Sequence, residues 1–182
     1  MLALPAFTGD GLLPVGDYQM TLEELHQSHL VSGRGVGSPN WDAVWRLRLV
    51  INLETLVEQL WRVGIDAIFV DGSFVEAKNH PNDIDGYFEC DRARLLSGRL
   101  ERELNALDPH KIWTWDANKR LFHTDSNKRE LPMWHRYRVE LWPHWGQSSG
   151  IPDEFGHPQP FPSAFRYSPK ARRAKGIIRI VR

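Results

Sequence analysis

The stretch Asp71–Cys90, DGSFVEAKNHPNDIDGYFEC, decides how this chain is expected to fold. It follows the apolar run AIFV, which has the composition of a buried strand, and it ends in a second strand-like run, IDGYFEC. Between the two runs lie Gly72 and Ser73, and then nine residues of mostly polar connection that lead to Asp83-Ile84-Asp85. The sequence therefore predicts two strands with a turn and a pair of aspartates between them.

The spacing of the two aspartates points to a metal ion. Side chains alternate between the faces of a strand at a rise of about 3.3 Å per residue, so Asp83 and Asp85 are expected on one face, roughly 7 Å apart at their Cα atoms. Carboxylates this close repel each other unless a cation lies between them. Oxygen ligands of this kind suit Mg²⁺ or Mn²⁺, and paired ions about 3.5–4 Å apart are typical of phosphoryl and nucleotidyl transfer.

The turn before the connection has the composition of a phosphate-binding site. Gly72 permits a close approach of the backbone, and a helical turn after it would direct N–H groups and the Ser73 hydroxyl at a phosphate. Lys78 in the same connection can contact phosphate, although a solvated loop lysine is an equally good interpretation. The sequence therefore predicts a phosphate-binding site at Gly72 and Ser73, with Lys78 as a candidate for a further contact.

Taken together, Gly-Ser, nine residues and Asp-Ile-Asp between two strands resemble the motif of the DNA polymerase beta-like nucleotidyltransferase superfamily. The likeness extends along the chain to a family of small, uncharacterised bacterial nucleotidyltransferase-like proteins. The segments that carry it are LPAFTGDGLLPVGDYQMTLEEL (4–25), GSFVEAKNHPNDIDG (72–86), VELWPH (139–144) and KGIIRI (175–180). The resemblance implies an α+β fold with a nucleotidyltransferase-like mixed sheet packed with helices, triphosphate contact at Gly72 and Ser73, and metal binding at Asp83 and Asp85.

The resemblance also implies a third acid on a neighbouring strand, which holds the metal and helps to deprotonate an acceptor hydroxyl. Glu140, in the run RVEL, is the best candidate. Glu89 is the rival, but it lies two pleats beyond Asp85, about 13 Å away. The chain departs from the superfamily pattern in having Glu at this third position and in having Gly86 after the second aspartate. Glycine there suggests a bulge, or a ligand that passes close to the backbone.

Composition bounds these hypotheses. The chain has 182 residues, 41% apolar residues and a net charge of zero, which fits one globular domain with an extended N-terminal arm (about 1–20) and a basic C-terminal segment (about 163–182). Residues 1–91 carry a net charge of −9 (5 Lys/Arg against 14 Asp/Glu), and residues 92–182 carry +9 (18 against 9). The single cysteine, the absence of a signal-peptide pattern and the lack of a long apolar run favour a cytoplasmic protein with no membrane span.

Periodicity predicts the secondary structure. Thr21 and Glu24 form a capping-box pattern, and Ser38-Pro39 is expected to open a helix at about 40–63 whose apolar stripe faces a core. Other helices are predicted at about 21–30, 93–107 and 163–175. Strands are predicted at 67–72, 84–90, 111–116, 136–142 and 176–181, and the Pro- and Gly-rich segment 142–162 is predicted to be a loop.

Three further features have simpler explanations. His26 and His29 have a spacing that can share a metal, but an exposed pair is favoured because no third ligand is near in sequence. Eight tryptophans fit core packing better than stacking on bases. The terminal run SPKARRAKGIIRIVR carries six basic residues, which can bind a nucleic acid backbone or an acidic partner, or form a solvated face.

Two functions of different classes fit the sequence. The first is a Mg²⁺-dependent nucleotidyltransferase that transfers a nucleoside monophosphate from a triphosphate to the hydroxyl of an unidentified acceptor: RNA, protein or a small molecule. Asp83, Asp85 and Glu140 would be its catalytic and metal-binding residues. The second is a catalytically weak module of the same fold that acts as an antitoxin or regulator in a toxin–antitoxin or phage-defence pair, with a cognate protein as its partner.

Overall fold

A computed structural model describes residues 4–123, 128–152 and 156–182. The strands are β1 (Asp17–Met20), β2 (Ile68–Asp71), β3 (Ile84–Glu89), β4 (Leu121–Phe122), β5 (Arg129–Glu130), β6 (Val139–His144), β7 (Ser148–Pro152), β8 (Pro158–Pro160), β9 (Tyr167–Ser168), β10 (Arg173–Ala174) and β11 (Ile177–Ile180). The helices are α1 (Leu22–Gln27), α2 (His29–Ser32), α3 (Ala43–Arg62), α4 (Arg92–Leu96), α5 (Arg99–Leu107), α6 (Pro132–Tyr137) and α7 (Phe161–Phe165), and short 3₁₀ turns lie at Gly72–Val75 and Ala117–Lys119.

The centre of the molecule is a five-stranded mixed sheet in the order β1-β11-β2-β3-β6. The pairs β1–β11 and β3–β6 are parallel, and the two pairs between them are antiparallel. Strand β11 therefore lies inside the sheet although it comes last in the chain. Together with the helices, this mixed sheet gives the α+β class that the sequence predicts.

One face of the sheet is covered by α3. The predicted apolar stripe is confirmed, because its members have no exposed surface: Leu49, Leu53, Leu56, Val57 and Leu60. They belong to one cluster with Ile68, Val70 and Leu141 of the sheet. Burying each such side chain contributes about 1.5–3 kcal/mol, so this layer is a main source of stability.

The opposite face is covered by aromatic side chains from the C-terminal third of the chain. Phe69 and Tyr87 lie on adjacent strands with their rings stacked at 4.6 Å. Phe161 and Phe165 of α7 pack on this pair, together with Ile177. Helix α7 thus shields the face opposite to α3.

Three predicted helices differ in their bounds. Helix α3 begins at Ala43, because the side chain of Asp42 accepts the backbone N–H of Trp45 at 2.9 Å, so Ser38 and Pro39 lie outside it. The helix predicted at 93–107 is two helices, α4 and α5, separated at Gly98, which adopts a left-handed conformation with φ of 68°. The helix predicted at about 21–30 is likewise divided, with Ser28 between α1 and α2.

Two strand predictions in the later half of the chain are wrong in whole or in part. Residues 111–116 are irregular and not a strand. Their apolar alternation reflects burial, since Trp113 is fully buried and donates its indole N–H to Gln59 Oε1. The strand predicted at 136–142 begins only at Val139, because Pro132 opens a helix that ends at Tyr137 and is followed by Arg138, which has a positive φ of 54°.

The C-terminal third contains more strand than the sequence suggests. The predicted helix at 163–175 ends at Phe165 and is followed by a two-stranded hairpin, β9 and β10. The segment 142–162, predicted to be a loop, includes the paired strands β7 and β8. Short strands of this kind contain too few residues to show a period of two, so their pairing was not visible in the sequence.

Packing within the sheet explains why position 86 is occupied by glycine. The register between β2 and β3 is continuous from Ile68–Phe88 to Asp71–Asp85, so β3 carries no bulge along this pairing. A Cβ atom on Gly86 would lie 2.3 Å from the carbonyl oxygen of Phe69. The close backbone is therefore that of the neighbouring strand, and the expected bulge or ligand is not needed to explain this glycine.

Of the helices in the described ranges, none combines the length and the apolar character that crossing a membrane requires.

Candidate functional site

Three carboxylates form a row across three adjacent strands. Asp71 ends β2 and pairs with Asp85 of β3, which in turn pairs with Glu140 of β6. Adjacent strands lie about 4.8 Å apart, and paired residues present their side chains to the same face. By the period of two this is the face that carries Phe69 and Tyr87. We call Asp71, Asp85 and Glu140 the carboxylate row.

Burial and mutual repulsion favour the protonated forms of the row. Burial raises the pKa of Asp85 well above its usual range, and the charges of Asp83, Glu140 and Asp71 raise it further. Burial also raises the pKa of Asp71 to about 7, and it raises the pKa of Glu140 above its usual range. The row is therefore a site where added positive charge is stabilised.

Helix α6 and the residue before it orient the predicted acids Asp83 and Glu140. Asp83 lies immediately before β3, and its Oδ2 accepts the indole N–H of Trp134 at 2.7 Å. Glu140 is 8% exposed, and its Oε1 accepts the backbone N–H of Leu131 at 3.2 Å. Asp83 contributes to raising the pKa of both Asp85 and Glu140, so the structure brings the three predicted acids into one electrostatic cluster.

Gly72 is required at its position by conformation and by space. Its φ is +74°, and a Cβ atom there would lie 2.3 Å from Oδ2 of Asp85. The glycine begins the 3₁₀ turn Gly72–Val75, and a turn at this point is what the sequence predicts. Any larger residue would displace the turn from the carboxylate row.

The buried Arg46 of α3 holds the connection that follows this turn. Its guanidinium donates to the carbonyl oxygens of Phe74 at 2.8 Å, Glu76 at 3.0 Å and Lys78 at 2.5 Å. The same group lies 3.9 Å from the centre of the Trp41 ring. Sequence reasoning missed this role, because an arginine in a helical pattern is normally solvated.

Lys175 is the second residue that sequence reasoning missed. It comes from the basic C-terminal run, yet it is 3% exposed. Its ammonium donates to the carbonyl oxygen of Gly72 at 2.8 Å and to Oε1 of Glu76 at 2.9 Å. It also lies 3.1 Å from Oδ1 of Asp71, although Oδ1 accepts no hydrogen bond. This lysine neutralises one end of the row and leaves a buried carboxylate oxygen without a donor.

A cleft of about 970 Å³ opens beside the row. Of the predicted site residues, Gly72, Ser73, Lys78 and Asp85 line it, whereas Asp83 and Glu140 lie behind Asp85 outside its lining. The wall opposite the turn is formed by the β9–β10 hairpin and its flanks. This wall contributes basic and aromatic side chains: Phe165, Tyr167, Lys170, Arg173 and Lys175. The cleft therefore combines carboxylates at one end with cations and aromatic rings around it.

The donor atoms are of the type that Mg²⁺ prefers, since all are carboxylate oxygens. Oδ1 of Asp71 accepts no hydrogen bond, but the Lys175 ammonium lies 3.1 Å from it. In residues 4–123, 128–152 and 156–182 no three His, Cys, Asp or Glu side chains are arranged to hold one metal ion. The type of donor atom therefore fits a divalent cation, whereas their arrangement does not form a three-ligand set.

The rival and alternative metal residues lie elsewhere. Glu89 is exposed at the far end of β3, away from the carboxylate row. His26 is half-buried with its Nε2 3.3 Å from Oε2 of Glu54, and His29 packs edge-on against Phe7 at 5.1 Å. Each histidine thus contacts a different neighbouring side chain, and the two do not form the exposed pair expected from the sequence.

Comparison with known proteins gives a family and no more. No curated protein and no solved structure matches the chain. One family model matches residues 5–181, which is nearly the whole chain, and its description is DUF6932, a family of unknown function. The protein is therefore a member of the DUF6932 family.

Proposed function

We propose that the protein is a Mg²⁺-dependent nucleotidyltransferase that acts in the cytoplasm, with a nucleoside triphosphate as donor and a hydroxyl group as acceptor. The observation that carries the proposal is the carboxylate row, which ends beside the Gly72–Ser73 turn at a cleft of about 970 Å³. Buried acids in register on three strands are costly to a fold, and a bound cation offsets that cost.

We assign a role in this reaction to the residues that line the cleft and to the two acids beside it, Asp83 and Glu140. Asp83 and Asp85 would hold Mg²⁺, which would supply positive charge to neutralise the phosphates. Gly72 and Ser73 contact the triphosphate, and Lys78 lies in the cleft wall where it can add a positive charge. Glu140 is the general base, since burial raises its pKa towards the range in which a carboxylate accepts a proton effectively.

The bonds, the proton and the leaving group of this transfer are all accounted for. The acceptor oxygen forms a bond to the α-phosphorus while the bond from that phosphorus to the bridging oxygen of pyrophosphate breaks. The acceptor proton passes to Glu140, and the electron pair of the broken bond leaves with pyrophosphate, whose charge the basic side chains of the cleft offset; Mg²⁺, when bound, would supply further positive charge.

Calorimetric titration of MgATP and MgGTP tests the donor site without knowledge of the acceptor. The wild type should bind at least one triphosphate in a Mg²⁺-dependent manner, and the double variant Asp83→Asn/Asp85→Asn should lose this binding. Glu140→Gln is the matched variant, because it should retain binding and lose transfer. If a folded wild type binds no triphosphate, the nucleotidyltransferase proposal is wrong.

The buried Lys175 favours a second candidate function, a catalytically weak binding module that serves as an antitoxin or regulator of a partner protein. Its ammonium already neutralises Asp71 and Glu76 at the end of the row. In this case the ion pairs of Lys175 would stabilise the fold, and the protein would catalyse no nucleotidyl transfer. Co-purification with the protein encoded by a neighbouring gene, together with absent triphosphate binding, would favour this candidate over the enzyme.

A further inference from the structure

A second surface adjoins the carboxylate row on the side of β6, where Arg120 lies over Trp142, a residue of the cleft lining. It consists of the β4–β5 hairpin and α6, in residues 117–123 and 128–138, and we call it the hairpin surface. Leu121 and Phe122 are 57% and 61% exposed on it. Adjacent large apolar side chains exposed on a two-stranded hairpin are unfavourable for solubility, and their burial against a partner would be favourable.

The hairpin surface is strongly basic. Residues 117–138 contain six Lys/Arg against two Asp/Glu, a net charge of +4 in a chain whose total is zero. Four of these cations are exposed: Lys119, Lys128, Arg129 and Arg136. The guanidinium of Arg129 lies 4.2 Å from the centre of the Phe122 ring, so a cation and an aromatic face are presented together. Polyanions attract such a surface, and their bases stack on such rings.

Contacts connect this surface directly to the proposed catalytic acids. Arg120 lies over the ring of Trp142, with 5.2 Å from its guanidinium carbon to the ring centre, and its positive charge lowers the pKa of Glu140 against the larger effect of burial. His123 packs edge-on against Trp134 at 4.9 Å, and Trp134 donates its indole N–H to Asp83. The hairpin surface therefore ends at Glu140 and Asp83, on the flank where an acceptor would meet the general base.

We propose that the hairpin surface binds a single-stranded nucleic acid as the acceptor, with its terminal hydroxyl directed towards Glu140. This inference rests on the proposed nucleotidyltransferase function and names its acceptor class. A single strand fits because its backbone charge matches the exposed cations while its unpaired bases offer flat faces to Phe122. A duplex hides those faces, and an acidic protein does not present a flat ring at every unit of its chain.

Fluorescence anisotropy with a labelled oligonucleotide of about 12 nucleotides, as RNA and as DNA, tests the binding. The wild type should bind, and the affinity should fall as salt rises from about 50 to 200 mM. Phe122→Ala should weaken binding about tenfold through lost stacking. Arg129→Gln should lower the slope of log affinity against log salt by about 0.7, the value for one phosphate contact.

Arg92→Gln is the matched control, because Arg92 is an exposed arginine in the first turn of α4, which follows the opposite end of β3. This variant should bind like the wild type. Tighter binding of RNA than of DNA would assign a contact to the 2′-hydroxyl, and equal binding would assign recognition to the backbone and bases; both support the proposal. Absence of binding to either strand, or an equal loss in the Phe122 and Arg92 variants, would overturn it.

A second measurement separates the acceptor role from simple binding. With labelled triphosphate and Mg²⁺, the oligonucleotide should gain one labelled nucleotide, and a terminally blocked oligonucleotide should gain none. Binding without transfer, in a protein that binds MgATP, overturns the acceptor role and leaves the donor site standing. Oligonucleotide binding in a protein that binds no triphosphate overturns the proposed enzyme, and with it the acceptor assignment.

Discussion

At the scale of single residues, Lys175 shows how one buried cation compensates a buried carboxylate. Its ammonium contacts Asp71, Glu76 and the carbonyl oxygen of Gly72 while only 3% of the residue is exposed. Removing one partner of a buried pair costs about 3–5 kcal/mol, because the other charge is left without compensation. The stability of this corner of the fold should therefore depend on the protonation of Asp71.

We expect Lys175→Met to destabilise the protein by about 3 kcal/mol at pH 8 and by clearly less at pH 5. The pKa of Asp71 is raised to about 7 in the folded state, so Asp71 is protonated at pH 5 and needs no cation, whereas it is charged at pH 8. Urea denaturation at the two pH values measures the difference. Lys170→Met, at an exposed lysine of the same segment, is the control, and an equal loss in both variants would contradict the assignment.

Asp85→Asn should have the opposite effect. The folded state holds the pKa of Asp85 well above that of the unfolded chain, so the folded state binds the extra proton and stability falls as the pH rises through the interval between the two values. Asparagine removes this dependence and keeps the shape of the side chain. We expect a gain of about 2 kcal/mol at pH 8 without metal, or roughly 4–8 °C in Tm, and little gain at pH 5.

Thermal unfolding followed by circular dichroism, in the presence of a chelator, measures this change. Glu89→Gln is the control, because Glu89 is exposed at the other end of the same strand. A loss of stability at pH 8 would show that Asp85 is ionised and well paired in the free protein, against the charge repulsion inferred for the row.

At the scale of elements, the connection between β2 and β3 owes its shape to α3. Arg46 donates to three carbonyl oxygens of that connection and to the carbonyl oxygen of Leu30 at 2.7 Å. The planar guanidinium has five N–H donors in a fixed arrangement, which a lysine ammonium cannot reproduce. The helix thereby fixes the loop that carries Ser73 and Lys78 before any ligand binds.

We expect Arg46→Lys to cost about 2–3 kcal/mol in unfolding free energy, because two or more buried carbonyl groups lose their donors. Triphosphate affinity should fall as well, since the loop loses its fixed position. Arg48→Lys in the same helix is the control, because Arg48 is exposed and should tolerate the change. Urea denaturation and calorimetry of the same samples provide both readouts. Wild-type stability in Arg46→Lys would mean that the loop is held by other contacts.

At the scale of the whole molecule, the last strand, β11, connects β1 to the other strands of the sheet. Strand β11 lies between β1 and β2, and Ile178 and Ile180 are fully buried. Removing residues 177–182 would separate β1 from the rest of the sheet and expose the edge of β2 to solvent. The sheet is therefore complete only when β11 has paired with both β1 and β2.

Deletion of residues 177–182 should leave a chain without cooperative unfolding, because it loses an internal strand of the sheet and the anchor for Lys175. Deletion of Arg182 alone should have little effect, since its contacts are at the surface: an ion pair with Asp66 at 2.7 Å and a hydrogen bond to the carbonyl oxygen of Trp61 at 3.3 Å. Circular dichroism and limited proteolysis distinguish the two cases. A folded, protease-resistant protein after the longer deletion would show that β1 and β2 can pair without β11.

The parts of this protein that could be predicted from the sequence depend on neighbours in the chain. The Leu stripe of α3 and the two strands around Gly72–Ser73 were predicted, because helix and strand periods are local properties. The grouping of Glu140 with Asp83 and Asp85 was expected only from the resemblance to a known motif, since Glu140 lies on a strand distant in sequence. The irregular segment 111–116 and the short hairpins were not, since their residues follow burial and pairing and show no local period.

The rest of the site depends on contacts between segments that are far apart in the chain. Asp71 joins the carboxylate row through register with Asp85, and Lys175 reaches the same point because β11 inserts into the sheet more than a hundred residues later in the chain. Arg46 and Lys175 read as solvated charges in the sequence, because nothing local indicates that a long polar side chain will be buried. Their partners are backbone carbonyls and distant acids, and such contacts exist only after the sheet and α3 have packed together.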